Sequence, residues 1–170
     1  MTRYITKKEL TQALEQCADL QEQLILRLLY YGGLHLFELC GLLTGDIGDD
    51  GITICDIKHA NERFVEMPPD IMEDIRKLIE VRNDDSETVF RCKRIRKQRA
   101  EYNGRLYDKD MLRPETVKLL IKRCWPYDEY PNAHDFRISY IVNRSHDISP
   151  NDVPFSCTLW RERWRTWETW

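Results

Sequence analysis

Six cations fall within nine positions, at Arg91, Lys93, Arg94, Arg96, Lys97 and Arg99. Such a run is a candidate phosphate-contacting segment. The competing reading is a solvated loop, and the run by itself leaves both open. A second grouping is His134 and Arg137, three residues apart in a helical pattern and so on one helix face. A guanidinium grips phosphate oxygens through a charged, bidentate fork. An imidazole, with a free pKa of about 6.5, moves protons near neutrality. A third candidate is Lys58, in the connection between two alternating segments. Taken singly, each has a plain structural reading: a solvated lysine, a helix-capping histidine, a surface arginine.

The surrounding chain limits what these residues can serve. It has 170 residues, 42% hydrophobic and 32% charged. That is the composition of one globular domain with a real core, and it excludes disordered and collagenous classes. No apolar run is long enough to span a bilayer. The N-terminus lacks the apolar stretch of a signal peptide, which points to an intracellular protein of the cytoplasm or nucleoid with no membrane partner. The six cysteines, at 17, 40, 55, 92, 124 and 157, contain no Cys-x-x-Cys pair. Zinc ribbons and redox motifs are therefore disfavoured, and buried free thiols are expected. The net charge is −3, but it is unevenly spread. Residues 1–90 carry 9 basic and 18 acidic side chains, whereas residues 91–125 carry 12 and 4. A DNA-facing surface would be local.

The elements that must position these groups follow from pattern. Thr6 and Glu9 form a capping box, which predicts a helix to about Cys17. Leu20–Tyr31 has helical apolar spacing, and Gly32-Gly33 ends it. Leu34–Leu43 reads as a further short helix. The period then changes to two: Ile52–Ile57 and Arg63–Met67 read as a hairpin whose connection holds Lys58. Pro69 opens a helix over about Ile71–Val81. Glu87–Phe90 reads as a third short strand, and the basic stretch through Tyr102-Asn103-Gly104 as a loop. Helices are expected from Arg113 to Cys124 and from His134 to Asn143. A last helix, over 158–170, carries Trp160, Trp164, Trp167 and Trp170 on one stripe.

The order of these elements is more telling than any one residue. Leu29-Tyr30-Tyr31-Gly32-Gly33-Leu34-His35-Leu36-Phe37-Glu38-Leu39 resembles the "LLYxTGLRxSEL" box of the tyrosine recombinases, the family of phage integrases and Xer proteins. Ile57-Lys58-His59-Ala60-Asn61-Glu62-Arg63-Phe64-Val65 is similar to that family's "GKGxKERxV" hairpin. Ala133-His134-Asp135-Phe136-Arg137 resembles its "HDLR" box. The resemblance runs from about Thr6 to Arg144 and continues faintly to the end.

The resemblance implies a fold that is mainly α with a small antiparallel sheet, the integrase catalytic domain, filling residues 1–170 without the family's N-terminal DNA-clamping domain. In the family, two arginines clamp the reacting phosphate where charge builds in the transition state. A hairpin Lys protonates the leaving oxygen, a His assists, and a C-terminal Tyr attacks phosphorus. Lys58, His134 and Arg137 match three of those positions, and no metal or organic cofactor is implied. Three positions depart. His35 stands where the first arginine is expected. Laying Leu159–Trp170 over the family's "LGHxxxxTTxxY" segment puts Arg161 at a usual His and Trp170 on the nucleophile. Trp has no nucleophilic oxygen.

The reading is a protein that binds double-stranded DNA, takes part in or regulates integration and recombination, and does not cut. Two rivals stay open. One is an active minimal recombinase with an unrecognised nucleophile. The other is an interaction module that docks a second copy or a partner recombinase through its Trp-rich tail.

Overall fold

The computed structural model describes residues 3–56, 61–93, 100–102, 105–107 and 109–147. The chain divides into two compact units, Met1–Tyr140 and Ile141–Trp170. The first holds nearly all described residues. The described part of the second, 141–147, is helical throughout.

Helix α1 (Lys7–Glu15) starts as the capping box dictates: the Glu9 N–H donates to Thr6 Oγ1 at 3.2 Å and the Thr6 N–H to Glu9 Oε2 at 2.8 Å. Helix α2 (Leu20–Gly32) is capped by Asp19, which accepts from the Glu22 N–H at 3.0 Å. Leu24, Ile25, Leu26, Leu28, Leu29 and Tyr30 are all buried, so α2 is wrapped on most sides and serves as the central helix. Helix α1 and the helices over Pro69–Arg82 and Pro114–Cys124 pack against it. Gly33 ends α2 in the left-handed region at φ 57°. A Cβ there would lie 2.4 Å from Tyr140 Cδ1, so only glycine suits both backbone and space.

Helix α3 is shorter than the sequence pattern predicts, Leu36–Cys40 instead of Leu34–Leu43. The Leu42 N–H turns back to Leu39 O at 3.3 Å, which tightens the last turn and stops it. The first hairpin, β1 (Gly51–Asp56) with β2 (Asn61–Glu66), is antiparallel, pairing Ile52 with Val65 and Ile54 with Arg63. Opposite residues share a face. Ile52, Ile54 and Val65 are buried while Phe64 is 60% exposed, so Arg63 lies on the face turned inward.

Helix α4 (Pro69–Arg82) begins with Pro at its first position and ends at left-handed Asn83. The third strand expected over Glu87–Phe90 is not formed. Thr88 makes one isolated bridge to Leu43, and Val89 and Phe90 are both fully buried, so the segment threads into the core without a strand's alternation. The loop expected around Tyr102 is instead a second hairpin, β3 (Ala100–Tyr102) with β4 (Arg105–Tyr107). The connecting Asn103-Gly104 is a strong hairpin turn sequence, and it outweighs the flanking charge. Helices α5 (Pro114–Cys124) and α6 (Ala133–Asp147) complete the described structure.

The expectation of buried thiols needs one correction. Cys40 and Cys124 are buried and Cys17 and Cys92 half-buried, but Cys55 is exposed. The tryptophans at 160, 164, 167 and 170 lie outside the described residues, as does the helix expected there.

Candidate functional site

The first turns of α6 are pinned by polar groups that a core excludes unless they are paired. Asp135 is 4% exposed and Ser139 fully buried. Asp135 accepts from the Arg3 N–H and the Asn132 N–H, each at 2.9 Å. Ser139 Oγ accepts from the Ile5 N–H at 2.7 Å and donates to Asp135 O at 2.8 Å. Trp125 meets Phe136 edge-on at 5.9 Å, and the Arg3 guanidinium lies over the Trp125 ring. The residues just before α1 thus fix the rotation of α6.

That rotation places Arg137 beneath the α2–α3 turn. Its guanidinium is 8% exposed, and Nη1 donates to the carbonyl of Gly33 at 2.7 Å. His35 is two residues beyond that carbonyl, at the extended N-cap of α3. Its backbone N–H donates to Glu38 Oε2 at 2.7 Å. Glu38 is gripped in turn by both terminal nitrogens of Arg63, at 2.6 and 2.8 Å. Arg63 reaches Glu38 because the strand register turns it inward.

The electrostatics bind these residues into one group. His35 is exposed, but the neighbouring atoms that cover part of the ring cost its charged form solvation, and this lowers its pKa from the usual histidine value. The charges of Arg137, Arg63 and His134 lower it further, and Glu38 alone among the named neighbours opposes them. Burial pushes the Glu38 carboxyl up, but the Arg63 fork and the His35 N–H outweigh it and hold the carboxyl below its ordinary range. His134 is exposed at the start of α6, with its N–H donated to Asn132 Oδ1 at 2.8 Å. The result is an electropositive cluster: two guanidiniums and two imidazoles within electrostatic range of one another, with one carboxylate held by Arg63. Such a site can hold an anion.

The structure thus brings together three of the residues singled out in the sequence, His35, His134 and Arg137. Two others, Arg91 and Lys93, are elsewhere and already paired. Arg91 bonds Asp84 and Asp110, and Lys93 Nζ bonds Asp19 at 2.8 Å and Glu22 at 2.7 Å. Lys58, Arg94, Arg96, Lys97, Arg99, Arg161 and Trp170 lie outside the described residues. Sequence reasoning missed Glu38 and Arg63 as site residues. The signal for Glu38 was present, because Glu three residues after an N-cap position reaches back to it. Arg63 gave none, since its partner is 25 residues away.

One described cluster has metal-ligand chemistry. Cys17, Glu22 and Cys124 hold their ligand atoms within 4.8 Å of one another. The Glu22 carboxylate is already engaged by Lys93, by Arg123 and by the Ala18 N–H at 2.7 Å. Two cations on the one carboxylate work against a further cation.

The chain is similar to known proteins in sequence and in fold. The model of the phage integrase family matches residues 3–147. The tyrosine recombinase XerA of Thermococcus onnurineus is 33% identical over 105 residues, 61% of this chain and 33% of the relative. This chain therefore spans about a third of that relative's length. Among solved structures, the XerA recombinase superposes with a TM-score of 0.68 at 17% identity, covering 88% of this chain and 53% of that one. A lambda integrase tetramer bound to a Holliday junction superposes with a TM-score of 0.62 at 15% identity, covering 88% and 44%. No helix among the described residues is long and apolar enough to cross a membrane. With most of its length matched by the family model, from the residues before α1 to the end of α6, the chain belongs to the phage integrase family.

Proposed function

We propose that this chain binds double-stranded DNA and seats one backbone phosphate at the cluster of His35, Arg63, His134 and Arg137, without cutting the strand by the family's tyrosine chemistry. The observation that carries the reading is the convergence on His35 of positive charge from β2 and α6. A phosphate there would meet guanidiniums from two separate elements and would relieve their mutual repulsion. The solved lambda integrase neighbour is described bound to a Holliday junction, and DNA is the ligand its likeness suggests here. The basic run Arg94, Arg96, Lys97 and Arg99 is proposed to track the adjoining backbone. Lys58 is proposed to approach the same phosphate from the hairpin connection.

Two substitutions favour binding over cleavage. His35 replaces a guanidinium, and a neutral imidazole offers one donor with no fixed charge. Trp170 falls on the nucleophile position of the family pattern and has no oxygen to attack phosphorus. The proposed role is therefore in recombination without strand transfer: occupying a site, or assembling with an active recombinase through Trp160, Trp164, Trp167 and Trp170.

The test is fluorescence anisotropy of a labelled duplex at two salt concentrations, with a parallel search for an SDS-stable protein–DNA band. Binding that weakens steeply with salt, with no covalent band, is expected. A covalent band would overturn the non-cleaving half. Failure to bind at low salt would overturn the whole reading and favour a protein-docking role for the tail.

A further inference from the structure

Cys17 follows the end of α1, and Cys124 is the last residue of α5. They are 107 residues apart in sequence, yet their sulfurs lie 3.7 Å apart, with the Cys17 thiol donating to Cys124 Sγ. No other pair of cysteine sulfurs is in hydrogen-bond contact among the described residues. The two sulfurs differ in setting. Cys17 is half-buried, whereas Cys124 is buried. Arg123 Nη2 donates to Cys124 Sγ at 3.8 Å.

From this geometry we infer that Cys17 and Cys124 are an oxidisable dithiol, a half-buried thiol backed by a buried one, which a small disulfide converts to an intramolecular disulfide. Glu22, the third group beside them, has its carboxylate held by Arg123, Lys93 and the Ala18 N–H, which leaves the sulfurs to each other and not to a metal ion.

The chemistry balances with glutathione disulfide as oxidant. Cys17 thiolate attacks one sulfur of the oxidant, forming a mixed disulfide and releasing one glutathione thiolate. Cys124 thiolate then attacks the Cys17 sulfur, closes the protein disulfide and expels the second glutathione thiolate. The two protons lost by the protein end on the two glutathiones, and the two electrons given up by the protein thiols reduce the oxidant. Closing the bond asks the sulfurs to move from 3.7 Å to about 2.0 Å. Burial and the neighbouring Cys124 raise the Cys17 pKa, so the first step is slow at neutral pH and accelerates as pH rises.

The staple would join the residue following α1 to the end of α5. Because the closed loop is long, oxidation should raise the melting temperature by several degrees, reversibly.

The experiment equilibrates the full chain with glutathione disulfide, alkylates remaining thiols at low pH and maps linked peptides by mass spectrometry. The expected result is one Cys17–Cys124 linked peptide, loss of two free thiols per chain, and a Tm increase that dithiothreitol reverses. Cys17→Ser, a substitution at a half-exposed position, should abolish the link and the Tm increase while leaving the reduced Tm close to that of the parent. The inference is overturned if the oxidised chain links other cysteines, if Cys17→Ser gains the same Tm, or if the untreated chain holds one equivalent of zinc that prevents oxidation.

Discussion

The buried guanidinium of Arg137 donates to the main-chain carbonyl of Gly33, 104 residues earlier, at 2.7 Å. This bond ties α6 to the turn that presents His35. It gives Arg137 a structural duty separate from any duty toward an anion. Arg137→Gln should therefore lower stability by roughly 1.5–3 kcal/mol, the cost of deleting a charge-assisted buried bond. Urea unfolding measures it. A stability equal to that of the parent would mean the bond is not formed in solution. Arg137→Lys should recover part of the loss but not the fork geometry.

Gly33 is fixed twice over, by its left-handed φ of 57° and by the Tyr140 ring that fills the space of a Cβ. Gly33→Ala should cost more than the roughly 1 kcal/mol of the backbone effect alone. In the Tyr140→Ala background the same change should cost less, because the clash is gone and only the backbone strain remains. Equal costs in the two backgrounds would show that the ring does not close over Gly33.

Those two predictions mark where the sequence was legible and where it was not. Thr6 with Glu9, Gly32-Gly33 and Pro69 announced helix ends because caps are local, and the structure places helix ends there. The hairpin at 100–107 was missed because three-residue strands are too short to show a period, although Asn103-Gly104 carried the turn signal. The pairing of Glu38 with Arg63 depends on strand register, and a slip of one residue would point Arg63 outward. The sulfur contact of Cys17 with Cys124 depends on how α5 packs beside α1. Neither can be read from spacing along a chain. The boxes around His35 and His134 gave the family, but the carboxylate and guanidinium behind them emerged only from tertiary geometry.

Glu22 is almost fully buried, and its carboxyl is held at about 2. Burial alone would raise it; bonds from Arg123, Lys93 and the Ala18 N–H reverse that. A carboxyl whose folded pKa lies below its unfolded value stabilises the fold above the unfolded pKa. That stabilisation is lost as pH falls from about 4.5 toward 2. Both cationic partners are more than half exposed, so screening limits the contribution to the order of 2 kcal/mol. Glu22→Gln should lower stability at pH 7 and flatten the acid limb of the stability curve over this window. An acid limb unchanged by Glu22→Gln would show that other carboxylates govern acid unfolding.

His35 should make the cationic cluster respond to pH. In the free protein its pKa is depressed, chiefly by burial and then by Arg137, with Arg63 and His134 adding to it. The folded chain thus holds fewer protons at this group than the unfolded chain does. Stability contributed by neutral His35 is present above the unfolded value of about 6.5 and is lost as pH falls through the folded pKa. A phosphate seated at the cluster reverses the sign of the local field and favours imidazolium, so on the proposed reading binding takes up a proton. DNA affinity should then strengthen as pH falls from about 7.5 toward 6, while the free protein loses stability over the lower part of that range. His35→Arg supplies a permanent charge and should bind more tightly at pH 7.5 with a flatter pH profile. His35→Gln should flatten the profile without the gain. Glu38→Gln removes the one charge that opposes the cations and loosens Arg63, so it should cost stability through the lost fork, by about 1.5–3 kcal/mol. Anisotropy titrations of one duplex across this pH range, run on the parent and the three variants, decide the matter. A parent profile as flat as that of His35→Gln would remove His35 from the anion site.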